Sequence, residues 1–178
     1  MTGKVAVFVD GGYLDHLRDH RRVGRLDLEK LVHSAVGDGE LLRAYYYTCM
    51  PFQGEPPTEE ERGRYAKKDQ FLSVVRRLPR FEVRLGKIQR IGDDVRQKRV
   101  DILLAIELVS LAWKGSIDLA VVIAGDSDFV PAVEQAKDAG VVVRLLYFRE
   151  SCHDELLDAV DERVEITQVL VDFCQRDE

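Results

Sequence analysis

Four aspartates carry the chemistry this sequence can offer. Asp126 and Asp128 stand in AGDSDFVP, directly after the apolar run IDLAVVIA. Asp10 closes a second apolar run, KVAVFVD, ahead of two glycines, and Asp101 lies near the start of KRVDILLAIELVSLAWKG. Carboxylates a few ångströms apart resist ionising together, and a hard divalent cation removes the conflict. Oxygen donors without His or Cys suit Mg²⁺ or Mn²⁺ rather than zinc. Such an ion keeps waters and open positions that meet phosphate oxygens, so the chemistry expected is attack of water on a phosphodiester. Asp10, Asp101, Asp126 and Asp128 are therefore the candidate catalytic and metal-binding residues.

Plainer roles compete with that one. Asp126 and Asp128 can serve a turn and a helix cap, and Asp101 can be a first-turn acid facing the helix dipole. Asp101 tips the balance, because a helix wheel aligns it with Leu104, Ala105, Leu108 and Ala112, the stripe expected to face the sheet. A carboxylate there needs a partner or a metal. Glu107, about 9 Å further along the helix and turned by about 120°, falls outside that first shell. His16, His20, His33 and His153 show no ligand spacing and read as structural or surface residues.

The elements that must position these acids alternate. Strands are expected at 4–10, 40–48, 81–90, 117–125, 141–148 and 164–167, the last one small. Helices are expected at 13–20, from 28 after a cap at Asp27, and from a Thr58–Glu61 capping box to about Leu78. Further helices are expected at 98–115 (stopped by Gly115), at 128–140 with Pro131 in the first turn, and at 152–160. Residues 92–97 read as turn. Strands alternating with helices mean a mainly parallel sheet covered on both faces, a three-layer α/β/α domain. In such sheets functional groups gather beyond the carboxyl ends of the strands. If the strands ending at Asp10 and just before Asp126 are neighbours, their acids emerge at one edge.

With 178 residues and 46% hydrophobic content, one globular domain spanning 1–178 is expected. No run approaches the length of a membrane span, and MTGKVAVFVDGGY lacks the pattern of a signal peptide. Three scattered cysteines without CxxC spacing point to a reducing cytoplasm. Net charge is −6, yet residues 76–99 hold nine Lys or Arg against three acids. That segment is either a solvated face or a track for a polyanion.

FVDGGYL, KRVDILLAIEL and IAGDSDFVPAVEQAKDAGVVV together resemble the NYN domain, in the LabA-like branch of the PIN-like nucleases. The resemblance runs from Val5 to about Asp161. It implies a PIN-like fold with an acidic pocket for Mg²⁺ or Mn²⁺ and endoribonuclease activity on RNA, and its pocket acids fall on Asp10, Asp101, Asp126 and Asp128. Two departures stand out: Tyr13 where many members have Asn, and Glu107 where Asp is common. Tyr13, Lys98, Arg99 and Ser127 are candidate substrate contacts; packing is the other reading for Tyr13, and solvation for Lys98 and Arg99. RNA is the expected partner, a homodimer is compatible with the chain, and no protein partner can be named. A module that binds RNA or protein without cutting remains open, whereas receiver, haloacid-dehalogenase and nucleotide-loop motifs are missing.

Overall fold

The computed structural model describes residues 3–21, 26–91, 94–98 and 100–175. In chain order its first half comprises β1 (Lys4–Asp10), α1 (Gly11–Arg21), α2 (Leu28–Val36), β2 (Glu40–Thr48), α3 (Glu59–Val75), β3 (Phe81–Leu85), β4 (Lys87–Ile91) and β5 (Asp94–Lys98). The second half comprises α4 (Val100–Trp113), β6 (Leu119–Ile123), α5 (Val130–Asp138), β7 (Val142–Tyr147), α6 (Asp154–Ala159), β8 (Glu162–Glu165) and α7 (Gln168–Cys174).

Six strands form one all-parallel sheet in the order β3-β2-β1-β6-β7-β8. The run Val5–Val9 is apolar at every position because β1 is buried on both faces. Val5, Val7 and Val9 pack with α1, α2, α3 and α7, while Ala6 and Phe8 pack with α4, α5 and α6 on the opposite face. The chain winds outward from β1 in one direction and, after crossing back to β6, outward in the other. The reversal falls between β1 and β6, which is where open α/β sheets leave a crevice.

Local signals set most boundaries. The Asp27 carboxylate accepts the Glu29 and Lys30 amides at 3.0 and 3.1 Å, starting α2. Thr58 and Glu61 bond each other's backbone, which opens α3. Gly140, at φ +85°, ends the turn after α5.

Other boundaries differ from the sequence reading. The expected strand 81–90 is two strands: Gly86 donates its amide to the Thr48 carbonyl, and the chain then leaves the sheet edge. Residues 94–97, read as turn, and Lys98, read as the start of a helix, pair antiparallel with β4. Their charged composition hides a strand whose stability comes from its cross-strand neighbour. Helix α4 starts at Val100 rather than 98, α3 stops at Val75, and α1 begins at Gly11. The helix expected from 128 opens as a single 3₁₀ turn, Ser127–Phe129. Helix α7 was not anticipated, and it buries only Val171 and Cys174. Among the described residues no helix is long and apolar enough to cross a membrane, and Cys49, Cys152 and Cys174 are free thiols.

Gly11 marks how tightly β1 hands over to α1. A Cβ there would lie 2.7 Å from both the Tyr47 carbonyl oxygen and the Tyr46 ring. Gly63, inside α3, has nothing within 4 Å of its Cβ position. Urea unfolding should therefore show Gly11→Ala losing about 2 kcal/mol through overpacking. Gly63→Ala should gain about 0.5–1 kcal/mol from helix propensity alone.

Candidate active site

Val9 of β1 sits opposite Ile123 of β6, and parallel neighbours run about 4.8 Å apart. Both chains therefore leave the sheet at the same edge, one with Asp10 and the other through Ala124 and Gly125 to Asp126. The Asp10 carboxylate accepts the Tyr13 amide at 3.2 Å. Asp126 accepts the Asp128 amide at 3.0 Å, at the head of the 3₁₀ turn. The capping role foreseen for Asp128 thus belongs to Asp126, and α5 itself has no side-chain cap.

Burial pushes the Asp10 carboxyl from 3.8 up to about 6. The Tyr13 and Gly12 amides pull it down, while the charges of Asp101 and Asp126 push it further up. Asp101 is raised as well, by burial first and then by Asp126 and Asp128. Asp10 therefore lies within electrostatic reach of Asp101 and Asp126, and Asp101 within reach of Asp126 and Asp128.

Asp101 reaches that place differently from the sequence reading. The buried stripe of α4 is Val100, Leu104, Leu108 and Ala112, and Asp101, one position over, is exposed. It stands on the rim of the acid group rather than beneath it. Among the described residues no three His, Cys, Asp or Glu side chains form a preformed metal cage. Mg²⁺ does not demand one, since one or two carboxylates with retained waters commonly hold it.

An open cleft of about 710 Å³ lies over the pair Asp10 and Asp126. Tyr13 and His16 of α1 line it on one side, and residues 150–154 on the other. Gly125 allows this closeness: a Cβ there would sit 2.2 Å from the Ser151 carbonyl oxygen and 2.5 Å from the Tyr13 ring. The His153 amide donates to the Gly125 carbonyl at 3.0 Å, tying the far wall to the turn before Asp126. His16 and His153, read from the sequence as surface or structural, thus share the cleft with both acids. No local spacing could have revealed this, because they lie on elements from opposite ends of the chain.

Tyr13 is buried, and its hydroxyl accepts the Phe148 amide at 2.9 Å and lies 3.4 Å from the Ser151 hydroxyl. Packing, the second of its two readings, matches these surroundings: it holds residues 148–151 against the cleft. Ser127 is half-buried in the 3₁₀ turn. The side chain of Lys98 and the whole of Arg99 lie outside the described residues.

Glu107 accepts Arg84 Nε and Nη2 at 2.9 and 2.7 Å and the Tyr47 hydroxyl at 2.7 Å. It is a structural hub and does not line the cleft. Arg84 is committed there, and Arg80 bonds the Leu41 carbonyl and pairs with Glu40. Arg80 and Arg84 of the basic segment are thus tied to local partners and do not line the cleft.

The family model described as NYN domain matches residues 4–167. The crystal structure of a protein of unknown function from Vibrio parahaemolyticus superposes with a TM-score of 0.72 at 22% identity, covering 93% of this chain and 94% of that one. That likeness fits a PIN-like fold. No curated protein matches the sequence.

Asp10 also makes stability depend on pH. Its folded pKa lies above the unfolded value, so between about 4 and 6 the folded state binds the extra proton. Stability is therefore greatest at the acid end of that window and falls as pH rises through it. The full gap is worth about 3 kcal/mol, less what remaining solvent contact screens. In EDTA at pH 8, Asp10→Asn should be about 1–3 kcal/mol more stable than the parent, with no advantage at pH 4. Thermal unfolding at the two pH values measures this.

Proposed function

The chain belongs to the NYN domain family, within the PIN-like nuclease superfamily, and from that premise we propose a divalent-metal-dependent endoribonuclease of the LabA-like branch. One observation carries the proposal. Asp10 and Asp126 meet at the topological switch point, and the charges that act on them and on Asp101 come from other acids. Neither Asp10, Asp101, Asp126 nor Asp128 has an ion-pair partner among the described residues. Clustered carboxylate oxygens without a cation, one of them on the largely buried Asp10, fit Mg²⁺ or Mn²⁺.

When bound, such an ion would neutralise the acids and act as Lewis acid toward a phosphodiester. Asp10 and Asp126 are the inner holders, each with one oxygen fixed by a backbone amide. Asp101 and Asp128, which are exposed as Asp126 is but do not line the cleft, complete the set from the rim and orient water. His16 and His153, which line the same cleft, are the candidates for exchanging a proton with the leaving ribose oxygen. The turn at Gly125 keeps the cleft open for the phosphate, and Tyr13 sets its width. Free thiols throughout suit a reducing compartment such as the cytoplasm.

A module that binds RNA without cutting it is the second reading. Two observations favour it: among the described residues the acids form no preformed cage, and Tyr13, where many members of the family have Asn, is buried. Cleavage and binding separate the readings. With Mg²⁺ or Mn²⁺, the parent should cut end-labelled single-stranded RNA internally. Asp126→Asn should lose about 100-fold or more of that rate, as befits several kcal/mol of metal-borne stabilisation. Its RNA affinity in EDTA should stay within about twofold of the parent's. Binding by a parent that never cuts would leave only the second reading.

A further inference from the structure

Helix α3 buries nothing between Glu59 and Phe71; only Leu72 and Val75, near its end, are buried. One face of this exposed stretch carries Arg64, Lys67, Lys68 and Phe71, at spacings that align them. That face borders a groove of about 720 Å³ between α3, α1 and residues 48–51. Leu14, Leu17, Leu28, Met50 and Phe71 give the groove an apolar lining.

Four cations line it against one carboxylate, in a protein of net charge −6. Lys68 Nζ is 2.8 Å from Asp15, and it lies 5.9 and 5.7 Å from the ring centroids of Tyr46 and Phe71. Arg18 lies 3.4 Å from the same carboxylate, so two of the four cations share the single acid. Arg64 reaches Glu60 only at 4.0 Å, and Lys67 has no ion-pair partner among the described residues. Unneutralised positive charge beside an apolar lining suits an anion that carries a flat uncharged part. Sites for single-stranded nucleic acid have this make-up, a cationic track along a platform for bases.

The groove adjoins the acidic cleft. Consecutive residues of α1 divide between them: Tyr13 and His16 face the cleft, while Leu14, Leu17 and Arg18 face the groove. Tyr46 and Thr48, on the groove side, belong to β2, the neighbour of β1. Tyr46 also packs so closely on Gly11, the residue after Asp10, that a Cβ has no room between them. Cys49 feels both Lys68 in the groove and Asp101 on the acid rim.

We propose that this groove is a second subsite for single-stranded RNA, seating a nucleotide beside the one whose phosphate is cut. The base lies against the partly exposed Met50 and Phe71, and the backbone phosphates meet Arg64 and Lys67. The choice of RNA as occupant rests on reading the acidic cleft as RNA-cleaving. An acidic peptide would satisfy the cations but leave the apolar lining unused.

Fluorescence anisotropy with a labelled 12-mer oligouridine, in EDTA, tests the groove without any cleavage. The double variant Arg64→Glu/Lys67→Glu changes exposed positions only, and circular dichroism verifies its fold. Its binding should weaken at least about 10-fold. Its log-log salt slope should fall by about 1.4, for two phosphate contacts on a single strand. Lys114→Glu, an exposed lysine at the far end of α4, should bind like the parent. The proposal is overturned if the double variant binds within twofold of the parent, if the parent does not bind, or if polyglutamate of equal charge competes as well as unlabelled oligouridine. Cleavage that persists while the double variant binds normally would sink the groove and spare the nuclease. Groove-dependent binding by a parent that never cuts would do the reverse.

Discussion

Where β1 and β6 leave the sheet side by side, two wholly apolar strands turn within one strand spacing, and each turn is stabilised by an aspartate. Those carboxylates are tied to backbone amides and cannot swing away to lessen their repulsion. Burial has already lifted Asp10, and the charges of Asp101 and Asp126 lift it further. The site is thus a fixed conflict of like charges at the one place in the fold where the sheet opens a crevice.

The contrast with the rest of the protein gives this conflict its meaning. Glu107 is gripped by Arg84 and Tyr47, Asp15 by Lys68, Asp161 by Lys137 and Glu162 by Arg144. These acids are matched with cations, while Asp10, Asp101, Asp126 and Asp128 cluster at the switch point with no ion-pair partner among the described residues. A hard divalent ion is the natural counter-charge for oxygen donors. The cationic groove on the other side of α1 puts positive charge near the acids without quenching them. A polyanion can then be held by one and presented to the other.

Much of this was legible in the sequence because it rests on local rules. The apolar runs before Asp10 and Asp126 gave the central strands, and the alternation of elements gave the parallel sheet and so the edge where acids collect. Cap and breaker residues at Asp27, Thr58 and Gly140 placed helix ends to within a few residues. Asp101 shows the limit of a helix wheel. The start of α4 moved from 98 to Val100, and the buried stripe passed to Val100, leaving the acid on the rim. Strand β5 escaped because only its pairing with β4 makes so charged a segment a strand. His16 and His153 escaped because nothing short of the fold brings them together. The same holds for the groove, whose residues come from α1, β2 and α3 and carry no common motif.

Crystals soaked in Mn²⁺ and measured at an anomalous wavelength test the central claim most directly. Manganese should appear within ligand distance, about 2–2.3 Å, of carboxylate oxygens of Asp10 and Asp126, with Asp101 or Asp128 completing the shell directly or through water. A saturating soak that leaves this edge empty, or places the ion away from both Asp10 and Asp126, would contradict it.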